Sequence, residues 1–125
     1  GGIAMSTDVC VPISRLAECV EDTRRDIEES GIIAPIVGHV GDGNFHTLPI
    51  ALPDDVEAWK RIQSFVERLS ERAIAMDGTC TGEHGIGQGK IKYLRQEMGP
   101  AVDMMIAVKK ALDPNDILNP GKLFH

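Results

Sequence analysis

Aromatic side chains are scarce in this chain of 125 residues: one Trp, one Tyr and three Phe, 4% of the total. The core must therefore be mostly aliphatic. There is no basic run, and the formal net charge is −6, which argues against nucleic acid or an anionic membrane surface as partner. No apolar stretch approaches the ~18 residues of a transmembrane helix, and no signal-peptide pattern is visible. Cys10, Cys19 and Cys80 are odd in number and lack a CxxC spacing. Reduced thiols in a cytoplasmic compartment are the default expectation, and Cys80 reads as a small buried side chain ahead of a metal ligand. Repeats, low-complexity tracts and a clear linker are also missing. What remains is enough chain for one domain with a modest core.

What is there is a regular alternation of elements. Asp8–Val11 reads as a short strand ended by Pro12. Ser14 is a plausible N-cap for a helix to about Ser30, with Ile13, Leu16, Ala17, Val20 and Ile27 on one face and Gly31 as its stop. Residues 32–40 are β-rich, and Pro35 argues for an edge or a strand start. Asn44–Leu52 returns. Asp54 and Glu57 form an N-terminal capping pattern for a helix burying Trp59, Ile62, Val66, Leu69 and Ala73, which Gly78 ends. The order β-α-β-β-α is that of a ferredoxin-like split βαβ unit with its last strand missing or donated from elsewhere. After a loop over 78–90 come a short helix, Lys90–Met98, and a last helix from Pro100 to about Leu112. The expected fold class is α+β: a small antiparallel sheet with helices on one face, plus a C-terminal helical tail. The tail has nothing obvious on its far side, so the chain is expected to pack against another domain.

HVGDGNFH, residues 39–46, is a hairpin with a histidine at each shoulder. Asp42-Gly43 suits a two-residue turn, which pairs His39 with His46. Residues opposite one another in antiparallel strands project from one face with Cβ atoms roughly 4.5–5.5 Å apart. Two converging imidazoles suit a metal ion, and a pair of half-exposed histidines on a polar sheet face is the alternative. Asp42 and Asn44 read as turn formers. GEHGIGQGK, residues 82–90, fails as a nucleotide loop. Five residues before Gly89 stands His84, not Gly, and Lys90 is followed by Ile91, so the P-loop pattern breaks. From Gly85 and Gly87 the third dinucleotide-fingerprint position is Lys90. The glycines more naturally let the backbone carrying Glu83 and His84 approach something closely. His39, His46 and Glu83 would make a three-ligand set of the kind found in catalytic zinc sites and in non-haem iron sites. That Glu83 folds back onto the hairpin is an inference from this chemistry. His84 beside it is a natural general base.

Three motifs in order, GHVGDGNFHTLP (38–49), GTCTGEHGIGQGK (78–90) and LDPNDILNPGKLF (112–124), resemble the C-terminal part of the FAD-linked oxidases of the vanillyl-alcohol oxidase superfamily. Among these the chain looks most like D-lactate dehydrogenases, with glycolate oxidase subunits and D-2-hydroxyglutarate dehydrogenases as near alternatives. The resemblance implies a divalent metal, zinc before manganese or iron, held by His39, His46 and Glu83. It implies His84 as the base that takes the substrate's 2-hydroxyl proton, hydride transfer from C2 to flavin N5, and Asn119 in a tail near the flavin. Leu48 stands where the 2-hydroxyglutarate branch has Asn, which favours a small apolar 2-hydroxy acid. The implied partners are an upstream FAD-binding domain absent from residues 1–125, a small 2-hydroxy acid, an electron acceptor such as a cytochrome, quinone or electron-transfer flavoprotein, and a second copy in a homodimer. Residues 1–125 are accordingly expected to be the metal-bearing part of a substrate-binding cap domain, inactive alone, cytoplasmic or peripheral to a membrane through the acceptor. The competing functions are a flavin-free facial-triad oxygenase and a non-catalytic metal-binding or dimerisation module.

Overall fold

The computed structural model describes residues 1–124. The chain divides into two compact units, Gly1–Glu83 and the segment from His84 onward. The first unit runs β1 (Ile3–Ala4), β2 (Val9–Cys10), α1 (Ile13–Ser30), β3 (Ile36–His39), β4 (Asn44–Thr47), β5 (Ile50–Ala51) and α2 (Val56–Ala75). The second contains α3 (Ile91–Met98) and α4 (Ala101–Leu112). The α+β class and the four helices are as the sequence leads one to expect.

The principal sheet is antiparallel with order β2-β4-β3. Beyond β2, Thr79 forms an isolated antiparallel bridge with Cys10, exchanging hydrogen bonds of 2.7 and 3.2 Å. The expected missing fourth strand of the split βαβ unit is thus a single bridged residue. The returning strand is shorter than the expected Asn44–Leu52. Its regular ladder stops at Thr47, because Pro35, opposite Leu48, has no N–H to donate; the Leu48 N–H still donates to the Pro35 carbonyl at 3.0 Å, and Ile50 bridges Ile33 in the same register. On its other side Ile50–Ala51 also pairs with Ile3–Ala4, in a second, two-stranded sheet that the sequence pattern does not suggest.

Both long helices cover one face of the principal sheet. Val9, Val11, Leu16, Cys19, Phe45, Phe65, Leu69, Ala73 and Met76 form its core. Phe65 and Ile62 are 0% and 1% exposed, and each contributes about 2–3 kcal/mol by leaving water. Trp59 and Val66, expected inside, are half-buried; the Trp59 indole N–H donates to the Leu52 carbonyl at 2.8 Å. Around α1 the buried face is rotated from expectation. Ile13 is 64% exposed and Ala17 is exposed, while Thr23 and Asp26 turn inward. Their polarity is answered locally. The Thr23 hydroxyl donates to the Cys19 carbonyl at 2.7 Å. Arg68 and Arg72 of α2 bind the Asp26 carboxylate at 2.7 and 2.9 Å, with Ser30 at 3.0 Å. Burial pushes the Asp26 carboxyl up, but these donors outweigh it and hold its pKa below the usual value.

Helix ends follow local chemistry with small corrections. Pro12, not Ser14, stands at the entrance of α1, where its fixed φ and missing N–H cost nothing. Asp55, not Asp54, caps α2 by accepting the Ala58 N–H at 3.1 Å. α2 ends at Ala75 and is closed by Asp77, one residue before the expected Gly78. Asp77 takes φ +60° while Asp77 and Gly78 donate to the Ile74 and Ala73 carbonyls, a Schellman closure. Gly78 serves a different need, since a Cβ there would lie 2.2 Å from the Cys10 carbonyl oxygen. This is how α2 delivers the chain to the edge of β2.

In the second unit, Gly99 separates α3 from α4 with φ +53°. After α4 the turn is organised by Asp113, which accepts the Ile117 and Leu118 N–H groups at 3.0 and 2.9 Å and pairs with Lys109. These donors, Lys109 first, hold the Asp113 carboxyl down to about 2. Met104, Val108, Leu112, Ile117 and Leu118 are more than half exposed. No helix among the described residues is long and apolar enough to cross a membrane.

Candidate functional site

The hairpin register differs from the expected one. Val40–Asp42 forms a 3-10 turn closed by Gly43 at φ +73°, so the loop has four residues, 40–43. His39 pairs with Asn44 and Val37 with His46. Asn44 is therefore the first residue of β4, buried at 8%, and not a turn former. The slip from the expected register is two residues. Because side chains alternate with period two, an even slip leaves both histidines on one face. They are diagonal neighbours, with ring centroids 6.3 Å apart and planes at 85°.

That face is the one turned away from the helices. Val9 and Phe45 are paired and point into the core, so Asn44 and His46 of β4 project to the other side, with Cys10 beside Asn44. Carrying the β2–β4 register one step on places Asp8 opposite His46, and the Thr7 N–H donating to the Thr47 carbonyl at 3.0 Å confirms it. The face thus carries two cross-strand rows, Asp8–His46–Val37 and Cys10–Asn44–His39. Burial, then the nearby Asp8 and Asp42 charges, push the Cys10 thiol up, so Cys10 is no ready thiolate.

From the Thr79 bridge the chain folds back over this face. The Glu83 backbone N–H donates to Asp8 Oδ2 at 2.8 Å, and the Thr81 hydroxyl reaches the same oxygen at 3.3 Å. A Cβ on Gly82 would lie 2.3 Å from Asn44 Oδ1 and 2.5 Å from Asp8 Oδ1, so only glycine passes here. The result is the predicted return of Glu83 to the hairpin: its Oε1 stands 3.4 Å from His46 Nε2.

The His46 ring is oriented from behind. Nδ1 lies 3.0 Å from the Thr7 carbonyl oxygen and 3.7 Å from Asp8 Oδ1. A carbonyl only accepts, so Nδ1 carries the proton and, in the neutral ring, Nε2 presents its lone pair toward Glu83. Two lone-pair donors facing one another need a cation between them, a proton on Nε2 or a metal ion. Ligand bonds of about 2.1 Å at a tetrahedral angle would set two ligand atoms roughly 3.4 Å apart, so the pair fits a divalent metal. His39 is exposed on the same face, but it does not bring a ligand atom within 4.8 Å of both His46 and Glu83, so of the three expected ligands the structure brings only these two together. His84 is exposed and follows Glu83 directly as the first residue of the second unit. Asn119, also in the second unit, is exposed with φ +47°. It borders an open, largely apolar groove of about 650 Å³ with Leu112, Leu118 and Phe124. Leu48 is half-buried just past β4.

Reading the sequence alone missed Thr7, Asp8, Asn44 and Gly82. The one available signal was Asp8 itself: a carboxylate inside a short apolar strand has to be bonded to something.

Fold and site together define an α+β domain with one sheet face packed under helices and the other carrying a histidine–carboxylate cluster. The chain belongs to the family of the FAD linked oxidases, C-terminal domain, whose model matches residues 1–123. It is 55% identical over 121 residues to a protein of Danio rerio named probable D-lactate dehydrogenase, mitochondrial, covering 96% of this chain and 24% of that one. It is 47% identical over 124 residues to D-lactate dehydrogenase (cytochrome), mitochondrial, of Arabidopsis thaliana, covering 98% of this chain and 22% of that one. To the glycolate oxidase subunit GlcD of Bacillus subtilis it is 39% identical over 121 residues, 94% and 25% of the two chains. The chain therefore spans about a quarter of the length of these relatives.

Proposed function

We propose that this chain is the metal-bearing, substrate-side C-terminal region of an FAD-linked dehydrogenase of small D-2-hydroxy acids, D-lactate foremost. The observation that carries the reading is the Glu83–His46 approach of 3.4 Å on the sheet face that also holds His39, in a chain similar over nearly its whole length to D-lactate dehydrogenases. His39, His46 and Glu83 would hold a divalent metal, His39 closing onto the His46–Glu83 pair, with zinc the first choice for two imidazoles and a carboxylate. When bound, the metal supplies Lewis-acid polarisation of the substrate hydroxyl. A flavin, held mainly by a domain outside these residues, would supply the acceptor for the C2 hydride, leaving the substrate as a 2-oxo acid.

The chain's own residues do the rest. Nδ1–H of His46, anchored on the Thr7 carbonyl, keeps Nε2 facing the site. His84 receives the hydroxyl proton on its imidazole. Val37, 48% exposed beside His46, and Leu48 present apolar surface, which suits a methyl-sized substrate side chain and offers no partner for a distal carboxylate. Asn119 would lie against the flavin. The electrons then pass to an acceptor such as a cytochrome, a quinone or an electron-transfer flavoprotein, in a reduced-thiol compartment and at a membrane periphery where the acceptor is membrane-bound.

The test uses the full-length, flavin-loaded protein. His84→Ala should keep its metal and lose about 10²–10⁴-fold in kcat, whereas His39→Ala/His46→Ala should lose the metal. Unchanged turnover in His84→Ala would leave a non-catalytic module as the better description. D-lactate should exceed glycolate and D-2-hydroxyglutarate in kcat/KM; the reverse order would reassign the substrate.

A further inference from the structure

A buried carboxylate needs a reason, because a core made of apolar groups alone is cheaper. Asp8 is 2% exposed and lies between the two pieces of the site. In front of it, Oδ2 accepts the Glu83 backbone N–H and the Thr81 hydroxyl. Beneath it, Oδ1 stands 3.7 Å from His46 Nδ1, on the side of the ring away from Nε2. Over it passes Gly82, held so close that no side chain fits. One carboxylate therefore touches the backbone of one candidate metal ligand and the ring of another.

We propose that Asp8 is a positioning residue for the metal site, tying the Glu83 segment to the sheet and holding the His46 ring so that the two ligand atoms face each other. This rests on the metal reading above. Outer partners of this kind orient metal ligands and tune their basicity. The carboxylate suits the groups that reach it: the Glu83 N–H and the Thr81 O–H donate to Oδ2, and the His46 Nδ1–H edge faces Oδ1. Asparagine has nearly the same shape. Its amide oxygen could still accept from Glu83 and Thr81, but its NH2 group would then face the His46 Nδ1–H, donor against donor.

The test compares wild type, Asp8→Asn and Val9→Ala in the intact protein. Val9 neighbours Asp8 but is 1% exposed in the core on the opposite face, so Val9→Ala weakens the strand without touching the site. Two readouts are taken: hydrogen exchange of segment 79–83 in metal-free protein, and zinc affinity by chelator competition. Asp8→Asn should exchange roughly tenfold faster at 79–83, since a neutral acceptor replaces a charged one, and should bind zinc about 10–100-fold more weakly. Val9→Ala should match wild type in both. Wild-type exchange in Asp8→Asn, faster exchange with unchanged zinc affinity, or equal effects in Val9→Ala would each overturn the proposal. If wild type itself takes up no zinc, the ligand assignment falls, and with it the metal-positioning role; faster exchange would then credit Asp8 only with anchoring the segment.

Discussion

Gly82 offers the sharpest test of how the site is assembled. An alanine Cβ there would sit 2.3 Å from Asn44 Oδ1 and 2.5 Å from Asp8 Oδ1, against 3.4 Å for the start of ordinary contact. The larger deficit is 3.4 − 2.3 = 1.1 Å. Asn44 and Asp8 are 8% and 2% exposed and have little room to retreat, so the segment itself must lift by about 1 Å. The Glu83 N–H bond to Asp8, now 2.8 Å, then stretches beyond hydrogen-bonding range. Losing a hydrogen bond to a charged group costs roughly 1.5–3 kcal/mol, and overpacking roughly 1–3 kcal/mol. The two are alternatives more than addends, because lifting relieves the clash. The expected loss is about 2–3 kcal/mol. Urea unfolding followed by Trp59, the single tryptophan, measures it, and zinc affinity should fall in parallel. Gly41→Ala is the control on the hairpin, since a Cβ there meets nothing within 4 Å; it should stay within about 0.5 kcal/mol of wild type. Equal stability and equal zinc uptake in the two variants would refute this account of the segment.

Other expectations follow from the packing and the charges. Asp26→Asn should cost about 2–3 kcal/mol, a figure kept low because Arg68 is 45% exposed. The folded Asp26 pKa is depressed, so its contribution is present above the unfolded value of about 3.9 and is lost as pH falls through the lower folded value; acid titration of stability should be shallower in the variant. Phe65→Ala should cost about 3–5 kcal/mol in denaturant melts, as it empties the centre of the core. Asp113→Asn should speed hydrogen exchange of the Ile117 and Leu118 amides at neutral pH, and that difference should vanish as pH falls through about 2, where the wild-type carboxyl protonates.

The four helices were legible in the sequence because their signals are local. A 3.6-residue apolar period, a capping aspartate within one position of the observed one and glycines near the helix ends all lie within a few residues of what they control. That both histidines share one sheet face was legible too, even though the turn differs from the expected one. Alternation has period two, so a four-residue loop with a 3-10 turn moves the register by two and leaves the face unchanged. The charged face of α1 was not legible, since burying Asp26 depends on arginines 42 and 46 residues away. The pairing of the N-terminal Ile3–Ala4 with Ile50–Ala51 has no local marker either.

By itself, then, the sequence determined the order and type of the elements, the sheet face on which the histidines lie, and the residue types able to hold a cation. Tertiary structure alone decided that Glu83 meets His46, and that Asp8, 75 positions earlier in the chain, is what draws it there. The physical reason is range. Periodicity and capping act over one or two turns of backbone, whereas a buried carboxylate chooses its donors only after sheet and helices have brought distant segments within hydrogen-bonding reach.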